Sequence, residues 1–473
     1  MKSNNNKELS RRNFLKTLGA GSVAAAAAMY GCKPANTSHP NSPLLEELGT
    51  ATSPPSGGLG GAMTYRTNPH TGDRVSLLGY GCMRLPMHAN EEIDQEAVNA
   101  QIDYAIAHGV NYFDTSPRYM RGLSEKSTGI ALSRHPRDKY FIATKMSNQA
   151  DDKYLRSREG SIAMYHNSMA ELQVDYLDYY LLHGIGNGGM EDFKERFLDN
   201  GILDFLLKER QSGRIRNLGW SYHGDVAVFD HLLSLDIQWD FAMIQLNYVD
   251  WQHASSRNTN AEYLLGELEK RNVPAVVMEP LLGGRLARLN TRALKILKTI
   301  HPEDSAATWA FRYAGTPVSI LTVLSGMTYI EHLYENVRTC SPFQPLNEQE
   351  YEALEKVTKI ILDGDEIPCT ECQYCMPCPY GIDIPGIFMH YNRIVSAGEK
   401  LQSSNDEDYR KARRAFLVGY DRSVPKLRQA DHCIGCNICN PRCPQRIDIP
   451  KEMHRIDAYT EALKRGEEWG MED

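Results

Sequence analysis

Eight of the eleven cysteines fall in two short runs near the C-terminus. The first is Cys369-Thr-Glu-Cys372-Gln-Tyr-Cys375-Met-Pro-Cys378-Pro379, and the second is Cys433-Ile-Gly-Cys436-Asn-Ile-Cys439-Asn-Pro-Arg-Cys443-Pro444. Thiols repeated at two-residue gaps can surround a cuboidal iron–sulfur cluster, so two runs predict two 4Fe-4S groups. Structural zinc, which also takes four thiolates, is the competing chemistry, although zinc ribbons separate their two CxxC pairs by a longer spacer. Disulfides fit worse, because four cysteines within ten residues cannot all reach bridging geometry. The segment Cys378-Pro-Tyr-Gly-Ile-Asp-Ile-Pro385 recurs as Cys443-Pro-Gln-Arg-Ile-Asp-Ile-Pro450, matching at six of eight positions, so two related half-sites are expected. Cys82 and Cys340 lie outside the runs and are read as small core residues.

A second set of polar residues comes from the middle of the chain. Asp114, Lys145, His183, Ser221, Gln245 and Glu279 each close an otherwise apolar, β-rich run. The runs are Val110–Asp114, Tyr140–Lys145, Tyr176–His183, Asn217–Tyr222, Phe241–Asn247 and Pro274–Glu279, with Val75–Gly81 and Val318–Ser325 making eight. Amphipathic segments lie between them: Val98, Ile102, Ala105 and Ile106 share one helix face, and Ile162, Tyr165, Met169 and Leu172 another. Gly109 and Gly213 stand where helices should end. Eight alternating units predict an α/β fold, a TIM (β/α)8 barrel, whose site lies where the C-terminal ends of the strands open into loops. The six polar residues are therefore expected at one mouth. His70, His223 and His253 are read as solvated loop residues.

Phe113-Asp114-Thr115-Ser116-Pro117-Arg118-Tyr119 resembles the FDTAxxY element of the aldo-keto reductases, Ala143-Thr144-Lys145 their Lys strand and Leu181-Leu182-His183 their His strand. Ser124-Glu125 with Gly129, Gly219-Trp220-Ser221, Pro280–Gly284 and Glu335-Asn336 extend the match, and the cysteine runs point to the branch with a C-terminal, mainly helical ferredoxin-like domain. The resemblance implies a catalytic tetrad. Tyr119 would be the general acid, Lys145 the cation that lowers its pKa, Asp114 the partner of Lys145, and His183 a hydrogen-bond donor to a substrate carbonyl. It also implies NAD(P), with the carboxamide near Ser221 and Gln245, the pyrophosphate along the loop of Glu279 and Gly283, and the adenine near Glu335 and Asn336. Tyr222 stands where the family often has Asn, and Gly326 and His332 where NADP-dependent members carry Lys and Arg, so the nicotinamide preference is open. In bacterial ferredoxins, which the cysteine runs resemble, the fourth Cys of each run ligates the other cluster. That implies one set of Cys369, Cys372, Cys375 and Cys443 and another of Cys433, Cys436, Cys439 and Cys378. The short first run and the 54 residues between Cys378 and Cys433 leave the exchange open.

The remaining features concern compartment and partners. Ser10-Arg11-Arg12-Asn13-Phe14-Leu15-Lys16, followed by an Ala-rich stretch too short to span a bilayer, reads as a twin-arginine export leader over residues 1–32. This places the protein in the periplasm, or anchored on the outer side of the cytoplasmic membrane if Cys32 carries a lipid. Residues 33–72 are expected as a flexible tether, 73–342 as the barrel and 343–473 as the 4Fe-4S domain. The chain holds 52 Lys and Arg against 60 Asp and Glu, a net charge of −8 that deepens when the basic leader is removed, and this argues against nucleic acid as a partner. The expected function is an exported oxidoreductase performing NAD(P)-linked carbonyl/alcohol interconversion on a small molecule, coupled through the clusters to a one-electron redox partner. The alternative is an electron-transfer protein whose barrel binds a partner or a tightly held cofactor with little turnover.

Overall fold

Alternating side chains explain why the barrel forms. Along each strand, every second residue faces inward, and Tyr112, Ala143, Tyr179, Leu181, Phe241, Met243, Val276 and Leu321 pack there as one buried cluster. The computed structural model describes residues 62–466 except 91, 150, 151, 255–257, 402, 404 and 407. The expected leader, Cys32 and the tether up to residue 61 lie outside the described residues. The strands are β1 (Tyr65–Thr67), β2 (Arg74–Ser76), β3 (Leu78–Gly81), β4 (Tyr112–Asp114), β5 (Phe141–Met146), β6 (Leu177–Ile185), β7 (Ile215–Tyr222), β8 (Phe241–Gln245), β9 (Ala275–Met278) and β10 (Ile320–Ser325). Eight of them close a wholly parallel barrel in the order β10-β3-β4-β5-β6-β7-β8-β9.

Two sequence expectations change here. The run Val75–Gly81 is two strands: β2 pairs antiparallel with β1, and β3 enters the barrel. Residues 62–72, expected as tether, belong to that hairpin, which carries Val75 into the inward-facing cluster. Arg66 fastens it by donating to the carbonyl oxygen of Ile320 at 2.7 Å.

The helices outside the barrel begin where capping chemistry dictates. In α1 (Gln95–Ala107) the Asp94 carboxylate accepts from the Ala97 N–H, and in α2 (Arg158–Leu172) the Ser157 hydroxyl accepts from Gly160. Val98, Ile102 and Ala105 on α1, and Tyr165 and Leu172 on α2, are buried as expected, with Ile106, Ile162 and Met169 partly buried beside them. Gly109 and Gly213 take φ of +89° and +80°, conformations that let the chain reverse after a helix. The last barrel helices are α3 (Ala306–Gly315), α4 (Ile330–Thr339) and α5 (Glu348–Leu362). Helix α5 starts in a capping box, Asn347 with Glu350, and buries Leu354 and Val357 in the barrel's own core. Arg312 of α3 holds Glu350 with two hydrogen bonds, 2.6 and 2.9 Å, so the barrel unit runs past the expected boundary at residue 342.

A second core follows. Helices α6 (Ile384–Ser396), α7 (Tyr409–Ser423) and α8 (Ile449–Arg465) bury Phe388, Tyr391, Phe416, Tyr420, Met453 and Tyr459 against one another. The repeated Ile-Asp-Ile-Pro is a helix start used twice: Asp383 and Asp448 cap α6 and α8, and Pro occupies the first turn of each. Among the described residues no helix is long and apolar enough to cross a membrane.

Candidate functional site

Period two along the strands puts Asp114 on the same inward face as Tyr112, Lys145 with Ala143, His183 with Leu181 and Gln245 with Met243. All four lie at the strand ends that form the mouth. Lys145 Nζ donates to Asp114 Oδ1 at 2.5 Å and to the Thr115 carbonyl at 2.8 Å, with both side chains buried. Tyr119 follows β4 in a turn that runs through left-handed Met120 and Arg121, φ +52° and +57°. The turn lays the Tyr119 ring over Lys145, with Nζ 4.8 Å from its centroid, and edge-on to His183, 6.1 Å between centroids. The fold thus gathers the four expected tetrad residues. Burial pushes the Asp114 carboxyl up and the Lys145 ammonium down, and their contact opposes both shifts. One expectation reverses: burial, reinforced by Asp114, pushes the Tyr119 phenol well above its ordinary range. Burial and the cations of Lys145, Arg118 and Arg196 hold His183 well below its range, so its imidazole is neutral.

Two hydroxyls that the sequence did not single out position His183. Ser147 Oγ lies 2.6 Å from Nδ1 and 2.8 Å from Ser116 Oγ. With Ser147 donating to Nδ1, the ring proton resides on Nε2, the nitrogen left to donate to a carbonyl. Ser116 was visible as the Ser in Phe113–Tyr119, whereas Ser147, just beyond the Lys strand, carried no signal. His223, expected to be solvated, is partly buried beside Arg446, and burial pushes its pKa down to about 4.

The residues expected to hold a nucleotide are engaged by the protein itself. Ser221 Oγ accepts from the Gly184 N–H at 2.9 Å. Gln245 donates to Asp250, and its carbonyl oxygen accepts from Gln445 at 3.2 Å. Glu279, left-handed just after β9, is pushed up to about 7 by burial, with Arg84 opposing. A Cβ on Gly283 would stand 2.2 Å from Thr370 Cα, so the backbone of the first cysteine run already fills the space over that glycine. Glu335 accepts from Thr308 at 3.3 Å, and buried Asn336 donates to Ser325 at 3.0 Å. The side chains expected at the nicotinamide and the glycine expected at the pyrophosphate thus meet other parts of the chain.

The thiols sort across the two runs. Cys369, Cys372, Cys375 and Cys443 line one cavity with Ile384, Phe388, Ile447 and Ile449. Cys439 is pushed up to about 11 by burial and by its neighbours Cys433, Cys436 and Cys378. Four thiols around an apolar cavity suit the donor chemistry of a 4Fe-4S group. Cys443 is buried and Cys436 is exposed, and the other six thiols of the two runs are intermediate. Cys82 and Cys340 are buried in the barrel core, as expected.

Comparison with known proteins agrees with both halves. The description "Aldo/keto reductase family" matches residues 77–359, and "4Fe-4S dicluster domain" matches residues 368–447. An uncharacterized oxidoreductase of Bacillus subtilis is 26% identical over 308 residues, 60% of this chain and 93% of its own length. L-galactose dehydrogenase of Arabidopsis thaliana is 26% identical over 307 residues, 62% of this chain and 92% of its own. The holo form of an aldo-keto reductase from Bacillus halodurans aligns with a TM-score of 0.50 at 23% identity, covering 62% of this chain and 96% of its own, a likeness of fold.

Proposed function

The chain belongs to the aldo/keto reductase family, and on that premise we propose an exported oxidoreductase that interconverts a small carbonyl and its alcohol beside Tyr119 and carries two 4Fe-4S groups. The observation that carries the reading is the buried Lys145–Asp114 pair under the Tyr119 ring, with neutral His183 edge-on to it. His183 donates a hydrogen bond that orients the substrate carbonyl. Tyr119 keeps its proton in solution and releases it as negative charge builds on the substrate oxygen, and the nearby ammonium of Lys145 offsets the charge left on the phenol. The NAD(P) of the family is assigned no step, because Gln245 and Gly283 are engaged by the cysteine module; the two electrons of the reduction would be supplied by a reduced one-electron partner, and the second proton, beside that of Tyr119, by solvent.

Cys369, Cys372, Cys375 and Cys443 would hold one 4Fe-4S group and Cys433, Cys436, Cys439 and Cys378 the other; such groups hold and pass single electrons when bound. The exposed position of Cys436 supports a one-electron partner that approaches the second set. The leader motif supports export, with Cys32 as the residue that would carry a lipid. Changing Arg11→Lys and Arg12→Lys should retain the protein in the cytoplasm, and Cys32→Ser should release any membrane-bound fraction.

Tyr119→Phe tests the chemistry. Loss of carbonyl turnover with cluster absorbance intact supports the role of Tyr119. Unchanged turnover sinks it. The covered mouth favours a second reading, an electron-transfer protein with little turnover, and that reading gains if neither form of the protein converts carbonyls while both pass electrons.

A further inference from the structure

Two positions break the internal repeat of the cysteine module, and both meet the barrel. Tyr380 and Gly381 in the first segment are replaced by Gln445 and Arg446 in the second. Tyr380 and Gly381 are exposed. Gln445 is buried and donates to Gln245, while Arg446 Nη2 donates to the Asn187 carbonyl at 2.6 Å and to that of Gly186 at 3.3 Å. Gly381 and Arg446 share a left-handed backbone, φ +76° and +54°. Glycine enters that region freely and an L side chain rarely does, so a guanidinium is kept here against a conformational cost that its twin avoids.

The cysteine runs diverge in the same way. Ile434 and Ile438 of the second run are exposed, but the equivalent Thr370 and Tyr374 face the barrel. The Thr370 carbonyl accepts from Arg84, and the Arg118 guanidinium lies 5.4 Å from the Tyr374 ring centroid. Arg285 adds an ion pair to Glu366 at 2.8 Å. These barrel partners follow β3, β4, β6 and β9, or in Gln245 end β8, so the module is held from around the mouth rather than hung from one side.

We propose that one half-site of this module has become a docking face that fills the nicotinamide subsite of the barrel, so that the protein does not take NAD(P) at its mouth. The carboxamide would need the Gln245 oxygen already bonded to Gln445. The pyrophosphate would need the face of Gly283 on which Thr370 rests. The inference goes beyond the carbonyl reading and is measured separately, by nucleotide binding rather than turnover.

The experiment uses the full-length, anaerobically purified protein with its clusters in place. Equilibrium dialysis against NADH and NADPH up to about 1 mM, the weak end of specific binding, should show no binding, and hydrogen exchange across residues 279–285 should not change. The variant Gln445→Ala/Arg446→Gly, checked for wild-type cluster absorbance and circular dichroism, should gain nucleotide binding at least tenfold above the wild-type limit. Micromolar binding to the wild type, or nucleotide-dependent protection at residues 279–285, overturns the proposal. So does a well-folded variant that still fails to bind, because the docking face would then not be what excludes the nucleotide.

Discussion

Lys145 donates to Asp114 at 2.5 Å with both side chains shut inside the barrel, directly beneath the ring of Tyr119. Removing one member of a buried pair strands the other. Asp114→Asn and Lys145→Met should each destabilise the protein by about 3–5 kcal/mol. Together they should recover more than half of that loss while turnover stays absent. Chemical denaturation of the three variants checks this, and single variants as stable as the wild type would show that the pair is not structurally coupled.

His183 is neutral because burial and three nearby cations disfavour its protonated form. Turnover should therefore show no titration from imidazole between about pH 5.5 and 7.5, the window of an ordinary histidine. His183→Asn should lower kcat by about 10²–10³, the usual loss for one donor to a developing oxyanion. A limb near pH 6.5 in the wild type that vanishes in the variant would contradict the neutral assignment.

Burial raises Glu125 to about 7, although Thr144 donates to it at 2.5 Å. Between the ordinary carboxylate range and pH 7 the folded protein keeps a proton that the unfolded chain has lost. Stability from this group therefore falls as pH rises through that window. Glu125→Gln escapes the loss and should be more stable than the wild type at pH 8 by up to roughly 3 kcal/mol, with little difference near pH 4. Urea midpoints at the two pH values decide it.

The sorting of the thiols predicts which cysteines act together. Cys443→Ser should perturb the same electron paramagnetic resonance signal as Cys369→Ser, and Cys378→Ser the same signal as Cys433→Ser. Iron content of the wild type should be about eight per chain, from two groups of four. Signals that group by run instead would mean that the fourth ligands are not exchanged.

Much of the barrel could be read along the chain because strand burial leaves a local trace. Val110–Asp114 and Phe241–Asn247 announce themselves as apolar runs ending in a polar residue, whatever surrounds them. Val75–Gly81 misled because an antiparallel hairpin and a barrel strand follow one another without a turn signal, and only the pairing of β1 separates them. The tetrad was legible from type and order, yet the pKa of Tyr119 was not, since it is set by burial and by the nearness of Asp114, which no sequence reports. Least legible was the docking of the module over the mouth, which joins Gln245 to a residue 200 positions away. Its trace lay in the repeat all along: the two unmatched positions, 445 and 446, both touch the barrel.

The proposed crossing of thiols between runs would set an order of synthesis. Cys439 leaves the ribosome before Cys443, so the set that ends at Cys439 would gain its last member four residues ahead of the set that ends at Cys443. A chain that stops after residue 378 owns a finished barrel and no complete thiol set. Metal loading would thus wait on translation, and the set that holds Cys443 would be the last the polypeptide can complete.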